Sequence, residues 1–444
     1  MRIVIDSGSY HSLNIGDVAM MQAAIERLRE LWPAASIAVV TNAPRTLALH
    51  CPGTQPVPLA GRVAFLTDRW LGRADRLLPA RVGDGLNALH DRIRRRWPAT
   101  LALIIAGKRL LARRRECFAA LAWVTALKRA DLVVTSGAGV FTDAFAENAT
   151  GVLDTLEFAV DHGVPAAAFG QGLGPLTEGA LLERMSKVLP RLDLIALRER
   201  AEGTRLLTAI GVRPERVHVT GDDALDMANR CRREDPGDAI GVNVRVAGYA
   251  GVGTPGVETI RSAVRRAADR LAAPLIALPI AHHPDCHDGA AIRRVLSESE
   301  STSPPIANLD TPAKAIAAVS RCRVVVTGSY HAAVFALAQG IPVVGTAASQ
   351  YYHDKFSGLN DLFGGGCDTE DILSADAGAR IEAAIVRAWT NAPRLREPLL
   401  KAAETQIRSS KEAYRLLADI VGNEAESAPA WRRRFSLAKR RLAA

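Results

Sequence analysis

Short, almost wholly apolar runs alternate with stretches of helical period along most of the chain, and this rhythm limits the fold more than any other feature. In the N-terminal half the runs lie at residues 3–6, 37–41, 132–135, 165–169, 192–196 and 217–220. Helical patterns at 17–31, 117–129, 152–161, 179–188 and 199–210 separate them. A strand that is apolar at successive positions must be covered on both faces, and a parallel neighbour can be reached only through a long crossover. Doubly wound parallel sheets are the expected result.

The rhythm breaks at residues 58–116, which read as an inserted helical excursion, and pauses at 229–237, where Pro236-Gly237 follows a charged run and marks a linker. It then restarts with apolar runs at 239–244, 275–279, 324–327 and 343–345 and helical patterns at 256–271, 288–297, 311–320 and 332–339. The expectation is an α/β chain of two Rossmann-like doubly wound domains facing a cleft. They are assigned to 1–228 and 238–395, followed at 396–444 by a helix (399–421) and a basic tail. A length of 444 residues with 48% hydrophobic content supports two or three cores.

Six cysteines without C-x-x-C spacing indicate neither a zinc site nor a disulfide framework. With no signal-peptide pattern and no apolar stretch long enough to span a bilayer, a cytoplasmic protein is expected. The net charge of +9 is concentrated at 92–115 and in the tail, where Trp431, Phe435, Ala438 and Leu442 form a stripe among arginines and lysines. Such segments suit the inner, anionic surface of a membrane, or are simply solvated basic faces. No nucleic-acid recognition motif accompanies them.

Candidate chemistry sits where strands give way to helices, because helix N-termini and bare backbone bind anions there. The tetrapeptide Gly-Ser-Tyr-His occurs at Gly8–His11 and again at Gly328–His331, each time after an apolar run. The first copy leads into Asn14-Ile15-Gly16-Asp17, read either as an anion cradle or as a turn with Asp17 capping the helix. Gly137 and Gly139 form a G-x-G turn that lacks the third glycine of a dinucleotide fingerprint. Gln171 stands in a run with glycines at 170, 172 and 174. Arg198 and Arg245 each end a strand, where a guanidinium can grip carboxylate or phosphate, although Arg198 could instead pair with Glu199. His283, in the segment 281–288, belongs to a polar substrate loop whose spacing fits no standard zinc motif, so no metal is expected. In the second copy Ser329 and Tyr330 precede His331, which heads a helix and is placed for proton transfer once an anion is bound.

Taken in order, Asn14-Ile15-Gly16-Asp17, Ser136-Gly137-Ala138-Gly139, Gly170–Pro175, Leu197-Arg198-Glu199, Gly221-Asp222-Asp223-Ala224 and His331 through Val343 resemble the polysaccharide pyruvyl transferase family. The resemblance covers most of the chain outside 58–116 and the tail. It implies a glycosyltransferase-B-like fold with no cofactor. It also implies transfer of the pyruvate unit of phosphoenolpyruvate, as a ketal, to a sugar or lipid-linked oligosaccharide acceptor used in surface polysaccharide synthesis. Arg198 would hold the donor, His331 would act as acid or phosphate partner, and Asp17 would join them in catalysis. Asn14, Gly16, Gly137, Gly139, Gln171, Arg245, His283, Ser329 and Tyr330 would line the substrates. Where the family commonly has arginine-leucine before the histidine, this chain has Ser329-Tyr330. That departure leaves open compensation by Arg198 or Arg245, a different donor, or loss of catalysis. A nucleotide-sugar glycosyltransferase and a non-catalytic glycan-binding or assembly protein at the membrane are the competing readings.

Overall fold

The computed structural model describes residues 1–68, 80–136, 138–177, 179–284, 287–297 and 308–427. Seven parallel strands build the first sheet: β1 (Arg2–Asp6), β2 (Ser36–Thr41), β3 (Gln55–Pro58), β4 (Leu132–Ser136), β5 (Ala166–Gln171), β6 (Leu194–Leu197) and β7 (Val217–Val219). Five more build the second: β8 (Ala239–Asn243), β9 (Leu275–Ala277), β10 (Cys322–Thr327), β11 (Val343–Ala347) and β12 (Cys367–Asp371). The spatial orders are β3-β2-β1-β4-β5-β6-β7 and β12-β11-β10-β8-β9.

These orders decide where a site can form. In the first sheet the chain runs outward from β1 through β2 and β3, then returns to pair β4 with the other side of β1, Ile5 opposite Val134 and Asp6 opposite Thr135. In the second it runs from β8 to β9 and returns to place β10 beside β8, Val326 opposite Val242 and Thr327 opposite Asn243. Each sheet therefore reverses its winding once, and the crevice beyond the strand ends at such a reversal is where open α/β sheets take ligands. Both Gly-Ser-Tyr-His turns stand at these reversals, the first after β1 and the second after β10.

Apolar burial on both sheet faces explains the strand composition. Along β1, Ile3 and Ile5 enter one core and Val4 the opposite one, as the two-residue period of a strand requires. The edge strands β3 and β12 do not show in the hydrophobic pattern, since Gln-Pro-Val-Pro and Cys-Asp-Thr-Glu-Asp carry little of it. Nor does the helix Gln350–Phe363 between β11 and β12. The segment 58–116 supplies three described helices, Leu59–Thr67, Ala80–Arg96 and Pro98–Leu111. The basic tail stripe at 431–442 lies outside the described residues.

One helix, Ala377–Ser427, runs for 51 residues through Pro393 and Pro398, so the boundary expected at 395/396 falls inside it. It begins against the second domain and ends against the first. There the Tyr414 ring stacks on Phe169 with centroids 3.8 Å apart. Tyr414 and Ser410 donate hydroxyl hydrogen bonds to the two oxygens of buried Asp223, at 3.1 and 2.8 Å. Backbone also links the domains across the cleft, where Ile15 N–H donates to Ile280 C=O (2.9 Å) and His282 N–H donates to Leu13 C=O (2.8 Å).

Because the ring of Tyr414 fills the seam where this helix crosses back, Tyr414→Ala is expected to lower the unfolding free energy by about 3–5 kcal/mol and Tyr414→Phe by about 1 kcal/mol. Urea denaturation measures both. An unchanged midpoint in Tyr414→Ala would contradict docking of the helix on the first domain.

Candidate active site

The loop after β1 is tied down from inside the fold. Arg62, on the helix Leu59–Thr67, donates to Asp6 at the end of β1 (2.9 Å) and to the Tyr10 hydroxyl (2.8 Å), with both partners of the ion pair buried. The first helix, Ile15–Leu31, then starts with Asn14 as its N-cap, whose side-chain oxygen accepts the Gly16 N–H at 3.0 Å. Of the two readings, capping by Asp17 does not hold: Asn14 makes the cap, and Asp17 stands free of it in the first turn, where the Ser9 hydroxyl bonds to its carboxylate.

Freed from capping, Asp17 faces the second domain. His331 lies in the first turn of the helix Tyr330–Leu337 and packs on Gly16, where a Cβ would stand 1.9 Å from the imidazole Cγ. Any side chain at residue 16 would push the two helix ends apart. The imidazole Nδ1 is 3.9 Å from Asp17 Oδ1, and Nε2 is 3.3 Å from Met20 Sδ and 3.7 Å from Asp222 Oδ2.

Arg198 comes from the end of β6, where its N–H donates to Gln171 C=O at 2.9 Å. Its guanidinium is 3% exposed and lies 4.2 Å from the centre of the Tyr330 ring, a stacking geometry suited to a planar cation. Nη1 is 3.5 Å from Asp222 Oδ2. Gly139, at φ 56°, and Gly172 give it room, since Cβ atoms there would lie 2.1 Å from Nη2 and 2.8 Å from Nε. The pairing of Arg198 with Glu199 does not form. Glu199 instead accepts the Leu173 N–H (2.7 Å) and lies 3.4 Å from the ammonium of Lys355.

The structure thus gathers Gly16, Asp17, Gly139, Arg198, Tyr330 and His331 around one buried point. Asn14 and Ser329 serve the two helix starts beside it, and the Ser329 N–H is held by Thr327 Oγ1 at 2.7 Å. Other expected residues stand differently. Arg245 is bound into the mouth of β8 by Asp288 Oδ1 (3.0 Å) and the Tyr249 hydroxyl (2.7 Å), and Asp288 in turn accepts the N–H groups of Ile280 and Ala281. The Gln171 amide turns back to Phe169 C=O at 2.9 Å, so that only its backbone serves Arg198. His283 is half-buried on the loop that meets Leu13, and Gly137 lies outside the described residues. Residues that the sequence reading did not single out complete the cluster: Met20 on the first helix, Lys355 on the helix Gln350–Phe363, and Asp222, which entered that reading only within the motif Gly221-Asp222-Asp223-Ala224.

Electrostatics divides the roles. Burial pushes the Asp222 carboxyl up to about 7 even though Arg198 pulls it down, and burial pushes Asp17 up to about 6 against Ser9, Arg198 and Arg245. Burial, then Arg198 and Lys355, holds His331 well below its ordinary value. Near neutrality His331 is therefore uncharged, and Asp222, with a carboxyl raised to about 7, is poised to exchange a proton there.

A carboxyl raised in the folded state binds its extra proton only there, so its ionisation costs stability as pH rises from about 4 to about 7, and the full cost persists above that. Asp222→Asn removes the titration. In urea denaturation the variant is expected to be about 1–4 kcal/mol more stable than the parent at pH 8, with the difference vanishing near pH 4. Parallel stability curves across that range would contradict a raised carboxyl.

Comparison with known proteins bears on the fold and on the family. By fold the chain is similar to a protein from Listeria monocytogenes assigned as a UDP-N-acetylglucosamine 2-epimerase, with TM-score 0.54, 12% identity, and 96% of this chain and 97% of that one covered. It is also similar to the UDP-GlcNAc 2-epimerase of Methanocaldococcus jannaschii, with TM-score 0.52, 12% identity and coverage of 94% and 99%. The glycotransferase of kitacinnamycin gives TM-score 0.51, 14% identity and coverage of 95% and 98%. At such identities the likeness establishes the glycosyltransferase-B-like architecture alone. No curated protein matches by sequence. The family model for polysaccharide pyruvyl transferase, in contrast, matches residues 14–349, a span that takes in Asn14, the glycine turns around Arg198, Asp222 and His331. The chain therefore belongs to the polysaccharide pyruvyl transferase family and is a transferase.

Proposed function

We propose that the enzyme transfers the pyruvate unit of phosphoenolpyruvate onto two hydroxyls of one sugar in a polysaccharide precursor, releasing inorganic phosphate. The observation that carries this reading is Arg198, a desolvated guanidinium with an unpartnered Nε, held between the helix starts at the two winding reversals. A buried cation so placed calls for an anionic ligand. It also answers the absence of arginine at residue 329, since a guanidinium already stacks on Tyr330, the neighbouring residue.

In the proposed sequence Asp222 gives its proton to the methylene carbon of the donor while a sugar hydroxyl oxygen bonds to the adjacent carbon and its proton passes to His331. A second hydroxyl oxygen then bonds to the same carbon as the carbon–oxygen bond to phosphate breaks, and its proton leaves with the phosphate. The imidazolium returns its proton to Asp222, 3.7 Å away. Of the two roles expected of His331, acid or phosphate partner, these steps give the acid role to Asp222 instead, because burial and two nearby cations favour a neutral imidazole.

The reading extends to the inner membrane surface, where lipid-linked acceptors lie. On the helix Pro98–Leu111, Leu101, Ala102, Ile105 and Ala106 are buried, whereas Leu103, Ile104, Leu110 and Leu111 are exposed by 57%, 40%, 56% and 87%. Trp97, 56% exposed, stands at one end beside Arg94–Arg96, and Arg113–Arg115 stand at the other. An apolar face bracketed by arginines is complementary to an anionic bilayer.

Two measurements check this function. Phosphate release from phosphoenolpyruvate is expected to require a glycan acceptor and to fall by at least about 100-fold in Arg198→Ala and His331→Ala. Stabilisation by a nucleotide sugar, with indifference to phosphoenolpyruvate, would overturn it in favour of a glycosyltransferase. The protein is also expected to float with phosphatidylserine vesicles but not with neutral ones, and Leu103→Asp/Leu111→Asp should abolish flotation. Equal recovery with both vesicle types would refute the membrane assignment.

A further inference from the structure

Lys355 lies on the helix Gln350–Phe363, beyond the residues that the family model matches, yet its ammonium reaches the centre of the cluster. The side chain is 3% exposed. Among the described residues its one hydrogen bond is to Glu199 Oε2, at a long 3.4 Å, with the Tyr351 ring centre 5.4 Å away. An ammonium carries three donors, so two remain unspent. Arg198 is equally underused, with an unpartnered Nε and an ion pair to Asp222 stretched to 3.5 Å.

The two cations converge on one place. A Cβ on Gly172 would lie 2.5 Å from Lys355 Nζ and 2.8 Å from Arg198 Nε, which puts the two groups within about 5.3 Å of each other. Like charges this close and shielded from water repel, and two long ion pairs offset that repulsion only in part. An anion with several oxygens, placed against the bare backbone of Gly172, would satisfy both. A phosphate fits this demand better than a carboxylate, because its oxygens can face a planar guanidinium and a point-like ammonium at the same time.

We infer that Lys355 and Arg198 together form the phosphate subsite of the donor, with Gly172 as its floor and Glu199 as the resting partner of the lysine. The inference rests on the phosphoenolpyruvate reading and deepens it. When the donor enters, the Lys355 ammonium turns from Glu199 to the phosphate, and Glu199 stays satisfied through the Leu173 N–H. As the carbon–oxygen bond breaks, the charge that gathers on the departing phosphate is met by a cation already in place. Lys355 then supplies the second positive charge that Ser329 cannot.

Inorganic phosphate is the probe, because it tests the subsite whether or not phosphoenolpyruvate is the donor. Its binding is measured by calorimetry, and its inhibition of turnover kinetically, for the parent, Lys355→Met, Lys355→Arg and the charge-balanced Glu199→Gln/Lys355→Met. The double variant guards against misfolding caused by a stranded carboxylate. The expected result is a double variant with a parent-like unfolding midpoint, at least tenfold weaker phosphate binding and an equally raised KM for phosphoenolpyruvate, with partial rescue in Lys355→Arg. Phosphate affinity and KM within twofold of the parent in the double variant would overturn the inference and make Lys355 a mere counter-ion. No phosphate binding by the parent protein would overturn it as well. A parent that binds phosphate through Lys355 but releases none from phosphoenolpyruvate would retain the subsite and refute the donor.

Discussion

A guanidinium kept from water by its own fold is the constraint around which this molecule is arranged. Arg198 is costly to bury, and its pairing with Asp222 is too long to meet that cost alone. The surroundings respond in kind: glycines at 139 and 172 admit the group, Tyr330 covers one face, and Met20 closes another side. None of these contacts belongs to a single element. They come from the segments after β4, β5, β7 and β10 and from the first helix, so the position of one cation depends on both sheets being correctly wound.

The two winding reversals explain why the loops meet there. Parallel sheets send all their strand ends in one direction, and the reversal leaves a gap between diverging crossovers in each. The first Gly-Ser-Tyr-His turn fills one gap and leads to a capped helix that presents Asp17. The second fills the other and presents His331 on Gly16. Identical tetrapeptides thus have unequal roles, because His11 of the first copy is exposed whereas His331 of the second is buried against the opposite domain. The long terminal helix fixes this relation by packing on both domains and by binding Asp223, the neighbour of Asp222.

How much could be read from the sequence follows from where the information is local. Central strands such as β1, β4 and β10 are apolar at nearly every position, and their number and parallel sense follow from that. The edges β3 and β12 are covered on fewer sides and carry prolines or acids, so no hydrophobic pattern marks them. Arg198 and His331 were legible because each follows an apolar run, Arg198 at the mouth of β6 and His331 in the Gly-Ser-Tyr-His turn after β10. Lys355 was not, since its helix does not stand out in the hydrophobic pattern and a lysine there gains its meaning only when the opposite domain buries it. Asp17 was found with its role open between cap and site, because Asn14 and Asp17 can each cap and only the backbone conformation decides between them. Arg245 and Gln171 show the opposite limit. Both lie at strand mouths as expected, yet Asp288 engages the guanidinium of one and Phe169 the amide of the other.

The central claim is that the free site holds its charges in imperfect balance and is completed by an anionic donor. When phosphoenolpyruvate draws Arg198 from Asp222 and brings negative charge beside Asp222, Asp17 and His331, the proton affinity of all three should rise. Calorimetric titration of phosphoenolpyruvate at pH 7.5, in two buffers of different ionisation enthalpy, measures this directly. The account predicts net uptake of protons on binding, lost in Asp222→Asn to the extent that Asp222 contributes. Binding with no proton uptake, or with release, would contradict it.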